Sequence, residues 1–264
     1  MIATVLFGWR QRLASNPLVP SMALSHRAAW GSLAVSFFVG ASLIAALVDI
    51  PIFARITVYP DSQLGAALVL VRLLAALPVG ALVGGYLIRR WSAWMLAAVG
   101  MVLAAAGFVW MTTWGLHTLE HPFPTTAPLV MCGFGFGLAV APVNAALLAA
   151  TSSRVHGVSS ALLVVSRMVG MLVGISALTT IGLRRFYAVS ADIPPVAEVC
   201  GSSSTGTGVC DEYIKALTEA GIAQIHAIFW GAAVAAAVAA ILAAVLLRGT
   251  SVEGKGTGHG RFGV

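Results

Sequence analysis

The chain has 264 residues, of which 59% are hydrophobic and only 9% are charged, and its mean hydropathy is +0.95. This composition excludes a soluble globular domain, because the surface of such a domain needs far more charged residues. We therefore expect a membrane protein. Its formal net charge of +6 is interpreted as a consequence of membrane topology and not as a sign of nucleic-acid binding.

Six apolar blocks predict an all-α membrane protein with six transmembrane helices. Each block reaches or exceeds the roughly 20 residues that a helix needs to cross about 30 Å of hydrocarbon. The blocks lie near 31–55, 64–88, 93–115, 128–150, 158–183 and 225–247, so helices 1 to 5 occupy 30–183. Residues 1–9 are apolar but too few to span, which predicts the end of a truncated helix, followed by a cytoplasmic loop over 10–29.

The basic residues of the short loops predict the orientation. Placing both ends of the six-helix block in the cytoplasm puts nine basic residues inside and four outside, as the positive-inside rule favours. The inside set is Arg10, Arg12, Arg27, Arg89, Arg90, Arg154, Arg248, Lys255 and Arg261, and the outside set is Arg55, Arg184, Arg185 and Lys215. Thirteen arginines against two lysines suggest a GC-rich bacterial genome, so we expect a bacterial plasma membrane.

Several small or kinking residues within the predicted helices are candidates for close helix packing or for the wall of a cavity. Glycines four residues apart let two helix backbones approach, and a proline inside a helix removes a backbone donor and bends it. The candidates are Pro51, Pro78, Gly133, Gly137, Pro142, Asn144, Gly170 and Gly174. Asn144 fits either the lining of a cavity or a hydrogen bond to a neighbouring helix.

Predicted helices 5 and 6 are longer than a membrane is thick. Residues 184–229 therefore form an expected extracytoplasmic extension, and 230–248 form the membrane span of helix 6. Cys200 and Cys210 lie at the ends of the connecting loop, where an oxidising environment favours a disulfide over the alternative of two free thiols. The tail, 249–264, is rich in glycine and is expected to be disordered. No metal-ligand spacing occurs.

An internal repeat relates the two halves of the chain. Sliding the sequence by 95 residues sets 66–90 against 161–185, with seven identities among 25 positions, including Arg72 with Arg167. Each segment is the second helix of a three-helix set, so the chain is interpreted as two three-helix units of opposite topology. Inverted repeats of this kind are typical of secondary transporters.

Charged side chains inside the predicted helices suggest a charge network. A charge at bilayer depth costs at least about 2.5–3.5 kcal/mol, so such a group faces protein or water. Asp49 and Arg72 lie at similar depth and are expected to pair, either simply to fix helix packing or to rearrange during transport. Arg167 has no acidic partner in any predicted helix, so its partner is expected in sequence outside this chain.

Five segments together resemble the C-terminal six-helix bundle of the major facilitator superfamily, in its fourteen-helix drug:proton antiporter branch. They are "NPLVP" at 16–20, "PDSQLGAALVLV" at the start of helix 2, "GALVGGYLIRR" at its end, "GFGFGLAVAP" in helix 4 and "HGVSSALLVVSRMVGMLVG" in helix 5. Their order and spacing cover most of 10–185. The long helices 5 and 6 are similar to those of the mycobacterial-type lipid and multidrug exporter of that branch.

The resemblance implies proton-driven export of amphipathic drugs or lipids, including triacylglycerides, by alternating access and without a cofactor. It also implies an extracytoplasmic lipoprotein partner beside the lipid bilayer. The N-terminal bundle of the family, which carries its signature loop and its main proton-coupling acid, is absent from this chain. The expected alternatives are a fragment, a split-gene product and a half-transporter that associates with a second copy.

Two other function classes are compatible with parts of the sequence. An intramembrane protease would use His156 beside Ser159 and Ser160, but serines at the start of a helix are ordinary capping and packing residues, so we expect no enzyme. A non-transporting scaffold, whose outer extension binds a partner protein, is the alternative to a transporter.

Overall fold

The computed structural model is all-helical and describes residues 27–151, 155–191, 193 and 207–248, without the side chains of Glu120 and of 207–212. Within these residues six long helices form and no strand does. They are α1 (Arg27–Thr57), α2 (Gln63–Leu87), α3 (Ala93–Met111), α4 (Pro122–Ala149), α5 (His156–Ser190) and α6 (Thr207–Leu246), with a short 3-10 helix at Thr118–Glu120. The predicted truncated helix, disulfide and tail lie outside the described side chains.

All six helices are long and apolar enough to cross a membrane. The prediction of six apolar helices is thus confirmed. α4 begins at Pro122 and not near 128, and α5 and α6 extend beyond their apolar blocks to Ser190 and back to Thr207. Prolines in the first turn of a helix lose no hydrogen bond, because the first amide groups have no partner within the helix.

The described helices alternate in direction. α1 runs antiparallel to α6, since Gly31 lies against Leu246 at one end and Gly221 lies near Ile56 at the other. We call the end that carries Arg27 and Arg248 the inner end, following the predicted orientation, and the opposite end the outer end. The first and last described residues therefore lie on the same side of the bundle, as six crossings require.

The helices form two layers. In the front layer α2 packs against α4, α4 against α1 and α1 against α5, so that α1 and α4 lie in the middle and α2 and α5 at the edges. The back layer consists of α3 and α6, which pack against each other, with α3 on α4 and α6 on α1 and α5. We call the side of the front layer that faces away from α3 and α6 the open face, because no described residue covers it.

Glycines bring the front helices together in two parallel pairs. In the α2–α4 pair, Gly133 contacts the backbone of Leu73, and any Cβ at residue 133 would overlap its carbonyl oxygen. In the α1–α5 pair, Gly40 contacts the backbone of Arg167 in the same way. The two contacts involve equivalent positions of the repeat. Arg167 lies 94 residues after Leu73, and Gly133 lies 93 residues after Gly40.

A polar contact follows the same shifts. Arg72 of α2 donates to Thr126 of α4, while Ser166 of α5 donates to the carbonyl of Leu33 in α1. Ser166 lies 94 residues after Arg72, and Thr126 lies 93 residues after Leu33. The packing therefore supports two equivalent three-helix units.

The repeat register read from the sequence was wrong by one residue. Sliding the chain by 95 residues aligned Arg72 with Arg167, but the packing pairs Arg72 with Ser166 and Leu73 with Arg167. One residue rotates a helix position by about 100°, so the two arginines point in different directions relative to their own partners. The 95-residue shift was chosen from identical residues in segments that are rich in alanine, leucine and valine. The glycine contacts between the helices give the true register.

α6 extends beyond the other helices at the outer end, where α5 ends at about the level of α1. α5 has 35 residues and α6 has 40, which correspond to about 52 and 60 Å at 1.5 Å per residue. Residues 222–229 of α6 still pack inside the bundle, where Phe229 contacts Trp114 at a ring-centroid distance of 6.1 Å. The part of α6 that projects from the bundle is therefore the stretch before about Ala220, and the boundary at 229 between extension and membrane span stays a prediction.

Candidate functional site

The open face is the candidate functional site, because Arg72 is exposed on one of its edge helices, α2, and Arg167 lies half-buried on the other, α5. Its edges, α2 and α5, are the least buried of the six helices. α2 exposes Leu68 and Leu82, and α5 exposes Met168 and Leu172. An apolar surface of this extent on a protein marks contact with lipid, with ligand or with another protein unit.

Arg72 lies on the exposed side of α2, nearer its outer end. It is nine residues from Gln63, or about 14 Å along the helix. Its Nη1 donates to the hydroxyl oxygen of Thr126 at 3.1 Å. This bond ties the guanidinium to the first turns of α4 and satisfies one of its five donor hydrogens, which leaves the others for a ligand, water or a further unit.

Arg167 occupies the corresponding level of α5, nearer the inner end. Its side chain is half-buried, and its Nε atom is buried with no hydrogen-bond partner in the described part of the chain. A buried polar group without a partner is costly, and a charged one in a membrane more so. The Nε atom of Arg167 therefore does not stabilise the bundle through a hydrogen bond to any described residue.

Asp49 lies on α1 and faces α5. Together with Ile44 and Ala45 of α1 it lines a small cavity, and the side chains across it are Ile175, Leu178 and Thr179. The carboxylate is half-buried in an apolar setting whose only hydroxyl is that of Thr179. Such a cavity suits a single small polar species beside the carboxylate.

The expected pairing of Asp49 with Arg72 does not occur. Arg72 reaches Thr126, and Asp49 lies against α5, so no ion pair joins them among the described residues. The sequence placed the two groups at a similar depth, but it did not give the rotation of α1, which directs Asp49 toward Thr179. The structure thus keeps three charged groups on the front layer and separates them from one another.

The remaining candidates divide between packing and the surface. Gly133, Gly137, Gly170 and Gly174 are buried against the backbones of neighbouring helices, which makes close packing their role in this bundle. Pro142 is buried and Pro51 is half-buried. Pro78 and Asn144 are exposed, and the lining of a cavity stays a prediction for Asn144.

A shallow pocket on the outer half of α5 combines apolar and polar side chains. Its walls include Leu172, Val173, Ser176, Thr180 and Arg184. The hydroxyls and the guanidinium follow one another along the helix beside branched aliphatic groups. A pocket of this kind accommodates a molecule with a long apolar part and a few oxygen atoms.

Three polar residues of the front layer escaped the sequence analysis. Ser36 is fully buried and donates to the carbonyl of Leu163 at 3.1 Å, and Ser166 donates to that of Leu33 at 2.8 Å, so both join α1 to α5. Thr126 holds Arg72. Their signal was a single hydroxyl within an apolar run, which is common in membrane helices because it usually bonds its own backbone.

The residues considered for a protease are occupied elsewhere. His156 Nε2 lies 3.2 Å from the carbonyl oxygen of Thr151, and Ser160 donates to that of Gly157 at 3.0 Å. Ser159 is buried. These contacts do not pair a serine with the histidine. In addition, the described residues contain no group of three or more histidine, cysteine, aspartate or glutamate side chains that could hold a metal ion.

Several known proteins that are similar to this chain are named triacylglyceride transporters. The chain is 36% identical over 192 residues to the triacylglyceride transporter of Mycolicibacterium smegmatis, covering 70% of this chain and 34% of that protein. It is 35% identical over 210 residues to the triacylglyceride transporter of Mycobacterium tuberculosis, covering 75% and 40%. A probable triacylglyceride transporter of Mycobacterium leprae is 32% identical over 231 residues, covering 83% and 45%.

The chain has homologues among mycobacterial triacylglyceride transporters and spans between about a third and just under half of their length. No family model matches it. Six apolar helices together with transporter homologues indicate a multi-pass membrane protein.

Proposed function

We propose that this chain is the C-terminal half of a proton-coupled exporter of the major facilitator superfamily that moves triacylglycerides or similar amphipathic compounds. The observation that carries the proposal is the similarity of 36% over 192 residues to a protein named a triacylglyceride transporter. The homologues have more than half of their length outside the similar region, which leaves room for a second bundle. This argues against an enzyme and for membrane transport.

The open face is the proposed wall of the transport cavity. Two parallel helix pairs, α2–α4 and α1–α5, meet at its centre, and their inverted relation is the arrangement on which alternating access is built. A second half would cover the face and close the cavity. The pocket on α5 then gives the lipid an apolar wall with hydroxyl groups for its ester oxygens.

The charged groups of the front layer are the proposed coupling residues. Arg167 has a buried Nε atom that lacks a partner, so an acidic side chain of the second half is the partner that its charge requires. Asp49 lacks a basic partner in the described chain and is the proposed site at which a proton binds. Arg72 keeps free donors for the lumen of the cavity.

The outer extension is the proposed docking site for an extracytoplasmic lipoprotein. α6 carries Lys215 and Glu219 in its projecting part, and both side chains are exposed. A disulfide between Cys200 and Cys210 would restrain the loop that joins α5 to α6. In this arrangement the chain lies in the bacterial plasma membrane with both ends of the six-helix block in the cytoplasm.

The test is a reconstitution in proteoliposomes with a fluorescent triacylglyceride. The chain is combined with the N-terminal half of the M. smegmatis transporter, which is produced as a separate polypeptide, and a proton gradient is imposed. We expect lipid movement that needs both polypeptides and that a protonophore abolishes. Each half alone serves as a matched control.

Other outcomes distinguish a transporter made of two copies of this chain from a scaffold that does not transport. Transport by this chain alone would mean that two copies form the transporter. If both halves insert and copurify, but no lipid moves in either direction with or without a gradient, the proposed function is wrong and a scaffold remains.

A further inference from the structure

The inner end of the bundle carries a cluster of exposed arginines, which we call the inner arginine cluster. It consists of Arg27 at the start of α1, Arg89 and Arg90 in the turn between α2 and α3, and Arg248 after α6. No aspartate or glutamate lies at this end among the described residues. The outer end differs, because there Arg55 and Lys215 are accompanied by Asp61 and Glu219.

Tryptophans accompany these arginines. The guanidinium of Arg248 lies over the ring of Trp94, with its central carbon 4.9 Å from the ring centroid. Trp30 and Trp91 are 61% and 49% exposed at the same end. Indole rings favour the boundary between hydrocarbon and headgroups, and a cation held over such a ring keeps its donor groups directed to the solvent side.

An apolar surface extends from the cluster along the back layer. α3 exposes Val99 and Val102, and α6 exposes Ile241 and Val245. These side chains lie on the outward side of two helices that pack against each other, away from the open face. Acyl chains can lie along them while their headgroup stays at the level of Arg248.

We infer that the inner arginine cluster binds the headgroup of an anionic phospholipid whose acyl chains lie along α3 and α6. A phosphate diester offers the oxygen pairs that guanidinium groups bind in bidentate fashion, and basic pockets between membrane helices recognise anionic headgroups. Charge complementarity and the adjoining apolar surface favour this ligand over a soluble acidic peptide, which would leave that surface unused. The site is separate from the open face and does not depend on the proposed transport.

The inference is tested with the full chain in lipid nanodiscs. Quenching of tryptophan fluorescence by brominated phosphatidylglycerol is compared with quenching by brominated phosphatidylcholine. We expect a preference for phosphatidylglycerol that decreases with salt. Each arginine near an anionic surface contributes roughly a fivefold preference, so R248Q should reduce it about fivefold and R89Q/R90Q about 25-fold.

The matched control is R55Q/R185Q, which removes two exposed arginines at the other end of the bundle. We expect it to leave the quenching at the inner end unchanged. R248K keeps the charge and should retain more of the preference than R248Q, which separates a loss of binding from misfolding. An equal effect of the two double variants, or equal quenching by both lipids, would overturn the inference. Complete competition by inorganic phosphate in the millimolar range would point to a free-phosphate site and would also overturn it.

Discussion

The two helix pairs of the front layer share one geometry but carry different residues where the glycine meets the partner helix. In both pairs a glycine lies against the backbone of the partner helix, Gly133 on Leu73 and Gly40 on Arg167. Leu73 is fully buried, whereas the buried Nε atom of Arg167 has no hydrogen-bond partner among the residues that the structure describes. The comparison teaches that the glycines determine how closely the helices approach, while the neighbouring side chain is free to serve another purpose.

The largest effect is expected from filling the glycine contacts. Gly133→Ala and Gly40→Ala each place a Cβ on a backbone carbonyl of the partner helix, and this backbone cannot yield as a side chain does. We expect a loss of about 3 kcal/mol or more in the free energy of unfolding for each variant, at the upper end of overpacking. Denaturation in detergent micelles, followed by circular dichroism, measures it.

Gly85→Ala is the matched control on α2. A Cβ at this position meets nothing within 4 Å, so the variant should be as stable as the parent or gain up to about 1 kcal/mol from helix propensity. A similar loss at Gly85 and Gly133 would show that contact with the partner helix is not the cause.

The next largest effect is expected from substitutions at Leu73 and Arg167, which occupy equivalent positions in the two helix pairs. Leu73→Arg should destabilise the α2–α4 pair by about 3 kcal/mol, because it buries a charge. Arg167→Leu should leave the free energy of unfolding unchanged or raise it, since it removes a polar atom that has no partner, while lipid transport falls by at least about tenfold. Stability and transport are measured on the same preparations.

Arg167→Lys serves as the control for charge alone. Arg167→Lys should recover part of the transport lost in Arg167→Leu if the positive charge is what matters. It should recover none if the bidentate geometry of the guanidinium is required. A loss of stability in Arg167→Leu as large as its loss of transport would make Arg167 a packing residue.

A smaller effect is expected from the hydroxyls that join α1 to α5. Ser36→Ala removes a buried hydrogen bond to the Leu163 carbonyl, and Ser166→Ala removes one to Leu33. Interhelical hydrogen bonds of membrane proteins contribute about 0.6 kcal/mol on average, so we expect a loss of that order for each. Thermal unfolding in detergent detects it, and Ser160→Ala, which removes only a local bond to Gly157, is the control.

The smallest effect on stability is expected at the contact between Arg72 and Thr126 in the α2–α4 pair, which is equivalent to the contact between Ser166 and Leu33. Thr126→Val frees Arg72 from its hydrogen bond, but the guanidinium is exposed and finds water instead. Stability should change by less than about 0.5 kcal/mol. Any change in transport without a change in stability would show that Thr126 positions Arg72 for the cavity.

The sequence was sufficient for the six helices, because length and apolar composition alone decide whether a helix can span a membrane. It also predicts the long outer part of α6, which no helix breaker interrupts. The sequence predicts a start of α4 near 128, later than the observed Pro122, because prolines are frequent in loops. The first turn of a helix accepts Pro122 and Pro124, whereas Pro128 lies inside the helix.

The candidate site was predicted less completely, because its contacts depend on helix rotation. Residues at equal depth need not face each other, which is why Asp49 lies near Thr179 and not near Arg72. The repeat register differed by one residue for the same reason. Ser36 and Thr126 could not be singled out, since a hydroxyl in a membrane helix usually bonds its own backbone.

The pairing of α1 with α5 has a consequence for how the chain is made. α1 ends at Thr57 and α5 begins at His156, so nearly a hundred residues must be synthesised before α5 can cover the surface of α1 around Gly40. At about 5–20 residues per second the ribosome needs roughly 5–20 s for this stretch. During that time the first three helices stand in the bilayer with an unfilled side, and whatever shields it, whether lipid or an insertion factor, must leave before the bundle can close.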